Sequence, residues 1–254
     1  MWKLARNVLA VGILAGALPA AAAEFVYMTG VTDPWGNTGA GSNDQAMDTA
    51  FGPGNWTKFN GFVLGAIAGD TRFLFLDGGD SSANALNAFI AANPAALETY
   101  VSAGGAIFIN AAPNEGGSFS MGFGVTLTYP SSGGDGNAAA TAEGLATGLF
   151  DGIASVYTGD SFAHAFVSGA GLIAGMVNGN GDTVFGGMDF GSGFAAFGGM
   201  TNPQFHDPDP DADILRARML GAIADQFETV AIPEPFSLAM LGIGLLGFAA
   251  LRRR

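Results

Sequence analysis

The sequence predicts an α/β domain, a mostly parallel β-sheet flanked by helices, followed by a C-terminal transmembrane helix. Three observations carry this. "RFLFL" (Arg72–Leu76) and "AIFIN" (Ala106–Asn110) are short, nearly continuous apolar runs, as expected where both faces of a sheet are covered. Between them "ANALNAFIAANPAALETYVSAGG" has apolar residues at helical spacing, and a strand–helix–strand succession with short connections sets its two strands parallel. At the end of the chain, Phe236 to Leu251 is an uncharged apolar run closed by Arg252, Arg253 and Arg254.

Taken in order, the chain opens with "MWKLARNVLAVGILAGALPAAAAEF": two cations (Lys3, Arg6), an apolar stretch from Val8 to Leu18, then Pro19 and alanines. This is the layout of a secretory signal. Ala21 and Ala23 are the small residues a signal peptidase needs, so residues 1–23 are expected to be removed and the mature chain to start at Glu24. The apolar core is only about half of the roughly 20 residues that a membrane-spanning helix requires. "EFVYMTG" (Glu24–Gly30) reads as a short strand ending in glycine. The strand Arg72–Leu76 runs into a glycine turn and into serines suited to cap a helix. That helix places Leu86, Phe89 and Ile90, then Leu97, Tyr100 and Val101, on one side; it breaks at Asn93-Pro94 and stops at Gly104-Gly105.

Gly116 to Gly152 is rich in glycine and serine and is expected to be a long insertion or hairpin. "GLIAGMV" (Gly171–Val177) and "GFAAFGG" (Gly193–Gly199) read as later strands. Ala212–Phe227 is an amphipathic final helix, with Ile214, Leu215, Met219, Leu220, Ile223 and Phe227 on one side. The organisation is therefore a signal peptide (1–23), one secreted domain (24–229), a linker (230–235) and a C-terminal segment (236–254).

Between the two terminal signals the basic residues are Lys58, Arg72, Arg216 and Arg218, set against 21 acidic residues, a net charge of −17. A domain this acidic lacks the cationic patch that nucleic acid or an anionic lipid surface requires, which leaves divalent cations or polymers cross-linked by them. There is no cysteine, which excludes a thiol nucleophile, a thiolate metal site and disulfide bracing. Roughly 200 residues are enough to build a core without disulfides.

The closing segment orders three features: Pro233-Glu234-Pro235, a short apolar helix of close to the roughly 17-residue minimum for crossing a bilayer, and an Arg triplet held inside by the positive-inside bias. It resembles the PEP-CTERM sorting signal. That resemblance implies anchoring in the inner membrane, recognition by an exosortase, cleavage near the Pro-Glu-Pro triplet, and release or surface display.

"LDGGDSSANALNAFI…LETYVSAGGAIFINAAPNEGG" resembles the core of class I glutamine amidotransferase-like, flavodoxin-like domains. In the glutaminase members a nucleophilic cysteine follows the strand matching "AIFIN". Here the turn is Ala111, Ala112, Pro113 and Asn114, so glutamine hydrolysis by that route is excluded. The family's histidine follows its last strand, and "NPQFHDPDPDAD" places His206 in that position. His164, flanked by apolar residues in "SFAHAFV", reads as a hydrogen-bonded core or strand-end histidine.

No Gly-x-Ser-x-Gly elbow is present. Asp77, Asp80 and Glu115 lie just after apolar strands, at the edge where open α/β sheets hold their sites, and with His206 they form a candidate rim. As a second candidate, Asp207, Asp209, Asp211 and Asp213 offer oxygens at alternate positions for Ca2+, without the central glycine or closing glutamate of an EF-hand. "NGNGD" (Asn178–Asp182) has the composition of a tight hairpin turn and also of a partial calcium loop. The expected function is a non-catalytic surface or matrix protein that binds exopolysaccharide or another envelope component, with Trp35 and Trp56 as candidate sugar contacts. The alternative is a glycan or peptide hydrolase using Asp77, Glu115 and His206.

Overall fold

The computed structural model describes residues 24–67, 69–114, 117–130 and 136–225. In chain order the elements are β1 (Phe25–Thr29), α1 (Asn43–Phe51), β2 (Trp56–Asn60), β3 (Phe73–Asp77), α2 (Ala83–Ala92), α3 (Pro94–Ser102), β4 (Ala106–Asn110), β5 (Phe119–Gly122) and β6 (Val125–Thr128). They continue with β7 (Ala138–Ala140), α4 (Ala142–Ala146), β8 (Val156–Gly159), β9 (Phe166–Gly169), β10 (Ile173–Asn178), β11 (Thr183–Phe190), β12 (Gly193–Gly198), β13 (His206–Asp207) and α5 (Asp209–Asp225). The expected signal peptide, linker and transmembrane segment lie outside the described residues. Among the described residues no helix is long and apolar enough to cross a membrane.

Ten strands form one sheet in the order β13-β8-β7-β10-β11-β12-β4-β3-β1-β2. In one half β2, β1, β3, β4 and β12 are parallel neighbours. In the other half β12, β11, β10, β7, β8 and β13 pair antiparallel. Antiparallel contacts thus outnumber parallel ones, five to four. The expected flavodoxin-like, mostly parallel sheet is corrected to a mixed one, and the class I glutamine amidotransferase-like assignment of the domain does not stand. The physical reason is turn length. β10–β11 and β11–β12 are joined by loops of four and two residues, and such short loops bring a strand back antiparallel. The strand between them, "TVFGGMDF", is broken by two glycines and carries no clean alternation, so it escapes a reading by periodicity.

The strand–helix–strand unit does form. Phe73–Asp77 pairs in parallel register with Ala106–Asn110, and the helix between divides at Asn93-Pro94. β3 and β4 are buried at every position because alternate side chains enter two different cores. Tyr27, Phe75 and Phe108 stack across three neighbouring strands, with ring centroids 4.9 and 5.1 Å apart, and this face packs on α1 and α5. Val26, Leu74, Leu76, Ile107 and Ile109 face the other way, against α2, α3 and the small sheet β5-β6-β9. The glycine-rich stretch after residue 116 supplies that small sheet's hairpin, then β7 and α4. In α5, Leu215, Met219, Leu220 and Ile223 are buried as expected, but Ile214 is exposed and Arg216 is buried in its stead.

Candidate functional site

The last residues of the parallel strands form one row, Thr29, Asp77, Asn110 and Gly198. The first three are buried polar groups, and each is satisfied by the segment that leaves the sheet there. Asn110 exchanges two bonds with the Met200 backbone, at 2.9 and 3.0 Å. Thr29 lies 3.4 Å from the Ser82 hydroxyl at the start of α2. Asp77, fully buried, accepts from the Gly79 N–H (2.8 Å) on one oxygen, and from Asn43 Nδ2 (2.9 Å) and the Tyr27 hydroxyl (3.1 Å) on the other.

Asn43 stands at the start of α1 and relays the network onward. Its Nδ2 also donates to Asn202 Oδ1 (3.0 Å), and its Oδ1 accepts from Arg216 Nη1 (3.1 Å). Arg216 Nη2 donates to the Thr201 carbonyl at 2.6 Å, and the Thr201 hydroxyl lies 2.9 Å from His206 Nε2. His206 itself is buried and stacked on Phe162, with centroids 4.0 Å apart. Asp77 and His206 therefore sit at one end of the sheet, joined through Asn43, Arg216 and Thr201 without touching.

Burial sets the protonation of these groups. It pushes the Asp77 carboxyl up, against the opposing pull of the Gly79 N–H and Arg216. It lowers Arg216 to about 10 and raises the Tyr27 hydroxyl well above its usual range. It drives His206 well below 6.5, and the neighbouring Arg216 adds to this, so the imidazole is neutral. A general acid or base must reach its substrate. Asp77, with both oxygens engaged, holds α1 to the sheet end through Asn43, Arg216 ties α5 to the same point, and His206 is sealed against Thr201 and Phe162. Glu115, the third member of the expected catalytic set, lies outside the described residues.

At the surface of the same edge lie Trp35, Asp80, Asn114 and His164. Strand order reverses at β1, whose next strand pairs on one side and whose next-but-one pairs on the other, and such a point opens a crevice between the loops that follow the two strands. Trp35 closes it. A Cβ on Gly79 would stand 3.1 Å from Trp35 Nε1, a tight contact, so glycine at residue 79 lets the indole sit close on this turn. Trp35 packs edge-on with His164 (5.1 Å) and Phe205 (5.7 Å), and its buried Nε1 has no hydrogen-bond partner. His164 Nδ1 meets the Pro113 carbonyl at 3.1 Å, as its apolar flanks suggest, and Asn114 Nδ2 donates to Asp80 at 3.1 Å. Trp35 (φ 62°) and Asp80 (φ 53°) are both held in the left-handed region, uncommon for non-glycine residues.

Trp56 is no open platform: it donates to Asp48 at 2.8 Å and tilts against Tyr27. The aspartate run is drawn into α5. Asp207 stays exposed on β13, Asp211 accepts from the Ala154 N–H at 2.7 Å, and Asp213 has one buried oxygen without a partner. A helix of 3.6 residues per turn points alternate positions in different directions. Among the described residues no group of three or more His, Asp or Glu stands close enough to hold a metal ion. "NGNGD" is a hairpin turn, in which Asn178 Oδ1 accepts from the N–H groups of Asn180 and Asp182.

Arg216, Asn43 and Asn202 were not legible as site residues, whereas Trp35 stood out as a candidate sugar contact. Arg216 left one trace: with Ala212, Leu215, Met219, Leu220 and Ile223 it falls on the buried stripe of α5, where a cation must find partners.

No curated protein matches the sequence. Among solved structures, a β-galactosidase from Rahnella sp. R3 overlaps 81% of this chain at 12% identity with a TM-score of 0.47. A β-galactosidase from Bacillus circulans sp. alkalophilus overlaps 80% at 13% identity with a TM-score of 0.46, and in both cases the match spans 31% of the enzyme's own length. A GMP synthase component from Thermoplasma acidophilum overlaps 80% of this chain and 96% of its own, at 12% identity and a TM-score of 0.48. Residues 231–254 match the PEP-CTERM protein-sorting motif, so the chain carries the address of an exported, membrane-anchored precursor that an exosortase processes for the cell surface.

Proposed function

We propose that the mature domain is a non-catalytic surface module that binds an extracellular polysaccharide or envelope component at the C-terminal edge of its parallel strands. The observation that carries this reading is the pair of left-handed non-glycine residues, Trp35 and Asp80, at the sheet's reversal point. Such conformations cost of order 1–3 kcal/mol each and cluster where a site is being shaped. An aromatic ring beside carboxylate, amide and imidazole groups is a surface suited to sugar hydroxyls and C–H faces. The non-catalytic part rests on the burial of Asp77 and His206 and on the hydroxyl-free and thiol-free turn Ala111-Ala112-Pro113.

The test is a binding screen of the domain, residues 24–232, against exopolysaccharide of the producing cell, with and without calcium, alongside Trp35→Ala. Binding weakened at least about tenfold by the substitution, a loss of about 1.4 kcal/mol, is the expected result. No binding under either condition overturns the reading.

A further inference from the structure

An apolar hollow lies above the antiparallel half of the sheet, between α4 and α5, with a volume of about 290 Å3. Its floor is Gly175, Phe185, Gly187 and Phe194, its walls are Thr147 and Leu149 on one side and Met219, Ala222 and Ile223 on the other, and Ile173, 60% exposed, stands at its rim. Glycine makes the hollow: a Cβ on Gly187 would stand 2.4 Å from the Phe194 ring, and one on Gly175 would stand 3.0 Å from the Phe185 ring. The volume is at the lower end of small-molecule pockets, about 300–1,000 Å3, and matches a pair of apolar side chains.

Its position says which ones. Phe194 pairs with Ala106, Ala106 with Phe73, and Phe73 with Phe25, so the hollow opens at the edge where the parallel strands begin. The mature chain enters at that edge, since the Glu24 carbonyl accepts from the N–H groups of Arg72 and Phe73. Ala222 and Ile223 of α5 line the hollow, and α5 is described as far as Asp225. The next seven residues, "QFETVAI", carry Phe227, Val230, Ala231 and Ile232. Extended, they reach about 24 Å, ample to fold back over Ala222 and Ile223. The sorting motif begins within this stretch, at residue 231.

We propose that residues 226–232 are the occupant of this hollow, seating Phe227 and Val230 between α4 and α5. The Pro-Glu-Pro triplet is then held against the N-terminal edge of the parallel strands, that edge is turned to the membrane in the anchored precursor, and the Trp35–Asp80 rim is turned outward. Docking governs how freely the exosortase reaches its site: a seated linker shortens the tether, and an unseated one lengthens it.

The absence of cysteine permits a clean test in the full-length chain. In detergent or in membranes, the pair Ile173→Cys with Val230→Cys should form a disulfide under mild oxidation, and the distant pair Val63→Cys with Val230→Cys should not. Separately, Phe227→Ser with Val230→Ser should leave the fold intact and speed amide exchange at residues 173–176 and 219–223 by about tenfold. The proposal is overturned if the near pair links no better than the distant one. It is equally overturned if exchange is the same in wild type and variant, or if protection of the hollow appears only on adding lipid vesicles, which would make a lipid chain its occupant.

Discussion

Replacing Arg216 by methionine is the sharpest test of the buried strut. Methionine matches much of the arginine stem and removes the guanidinium, so the buried volume at this position of α5 is largely kept. Two acceptors are then stranded: Asn43 Oδ1, which received Nη1 at 3.1 Å, and the Thr201 carbonyl, which received Nη2 at 2.6 Å. Each buried, unsatisfied group costs about 1–3 kcal/mol. Asp77, fully buried and bridged to Arg216 by Asn43, also loses the cation that favours its charged form. Because these penalties overlap, the expected loss is about 3–5 kcal/mol, a substantial share of the 5–15 kcal/mol typical of a domain. For a domain of this size that lowers Tm by about 6–20 °C. Urea titration and thermal melting of the domain, residues 24–229, read it directly. Adding Asp77→Asn to Arg216→Met should restore at least about 1 kcal/mol relative to the sum of the single losses, because the uncompensated charge is gone. A loss under about 1 kcal/mol for Arg216→Met, or strict additivity in the double variant, would refute the strut.

Acid should weaken the fold through His206. Its folded pKa lies well below 6.5, so the unfolded chain binds the extra proton, and stability present above pH 6.5 is lost as pH falls from there toward the folded value, at up to about 1.4 kcal/mol per pH unit. His206→Gln should flatten that slope in a urea series from pH 7.5 to 5, and an unchanged slope would assign it elsewhere. Asp77, raised by burial, acts with the opposite sign at lower pH, losing its contribution as pH rises from 3.8 through its folded value. Gly199→Ala should cost about 1–3 kcal/mol or more, because its Cβ would stand 1.9 Å from the Ala165 carbonyl and backbone must move; a neutral effect on melting would show that the β9 approach is looser than it stands. In cells with an active exosortase, mass spectrometry of the surface form should find the chain cut near Pro233-Glu234-Pro235, and Pro233→Ala with Pro235→Ala should leave the C-terminal segment attached. An intact C-terminus in the unsubstituted protein would contradict processing there.

Much of the parallel half was legible because local chemistry decides it. "RFLFL" and "AIFIN" are apolar throughout, the helix between them breaks at a proline, and a right-handed crossover admits one arrangement. The antiparallel half was legible only in part: Gly171–Val177 and Gly193–Gly199 read as strands, but β11 is broken by two glycines, β7, β8 and β13 have only two to four residues, and pairing direction follows from where the hairpins land. The site was half legible. Strand ends pointed to Asp77, and the motif pointed to His206. Neither signal tells an open carboxylate from one bound by three donors.

What the sequence by itself determined is the address and its chemical limits: a sorting motif at 231–254, no thiol, and a strongly acidic domain ahead of that motif. These are properties of composition and of contiguous residues, and they need no fold to act. Only the tertiary structure decided that Asp77 and His206 are buried with their polar groups engaged, that Arg216 links α5 to α1, and that Trp35 closes the crevice. Asp77 and Arg216 are 139 positions apart in the chain, and burial, which sets the protonation of both, exists only once the sheet and its two covering helices have closed around them.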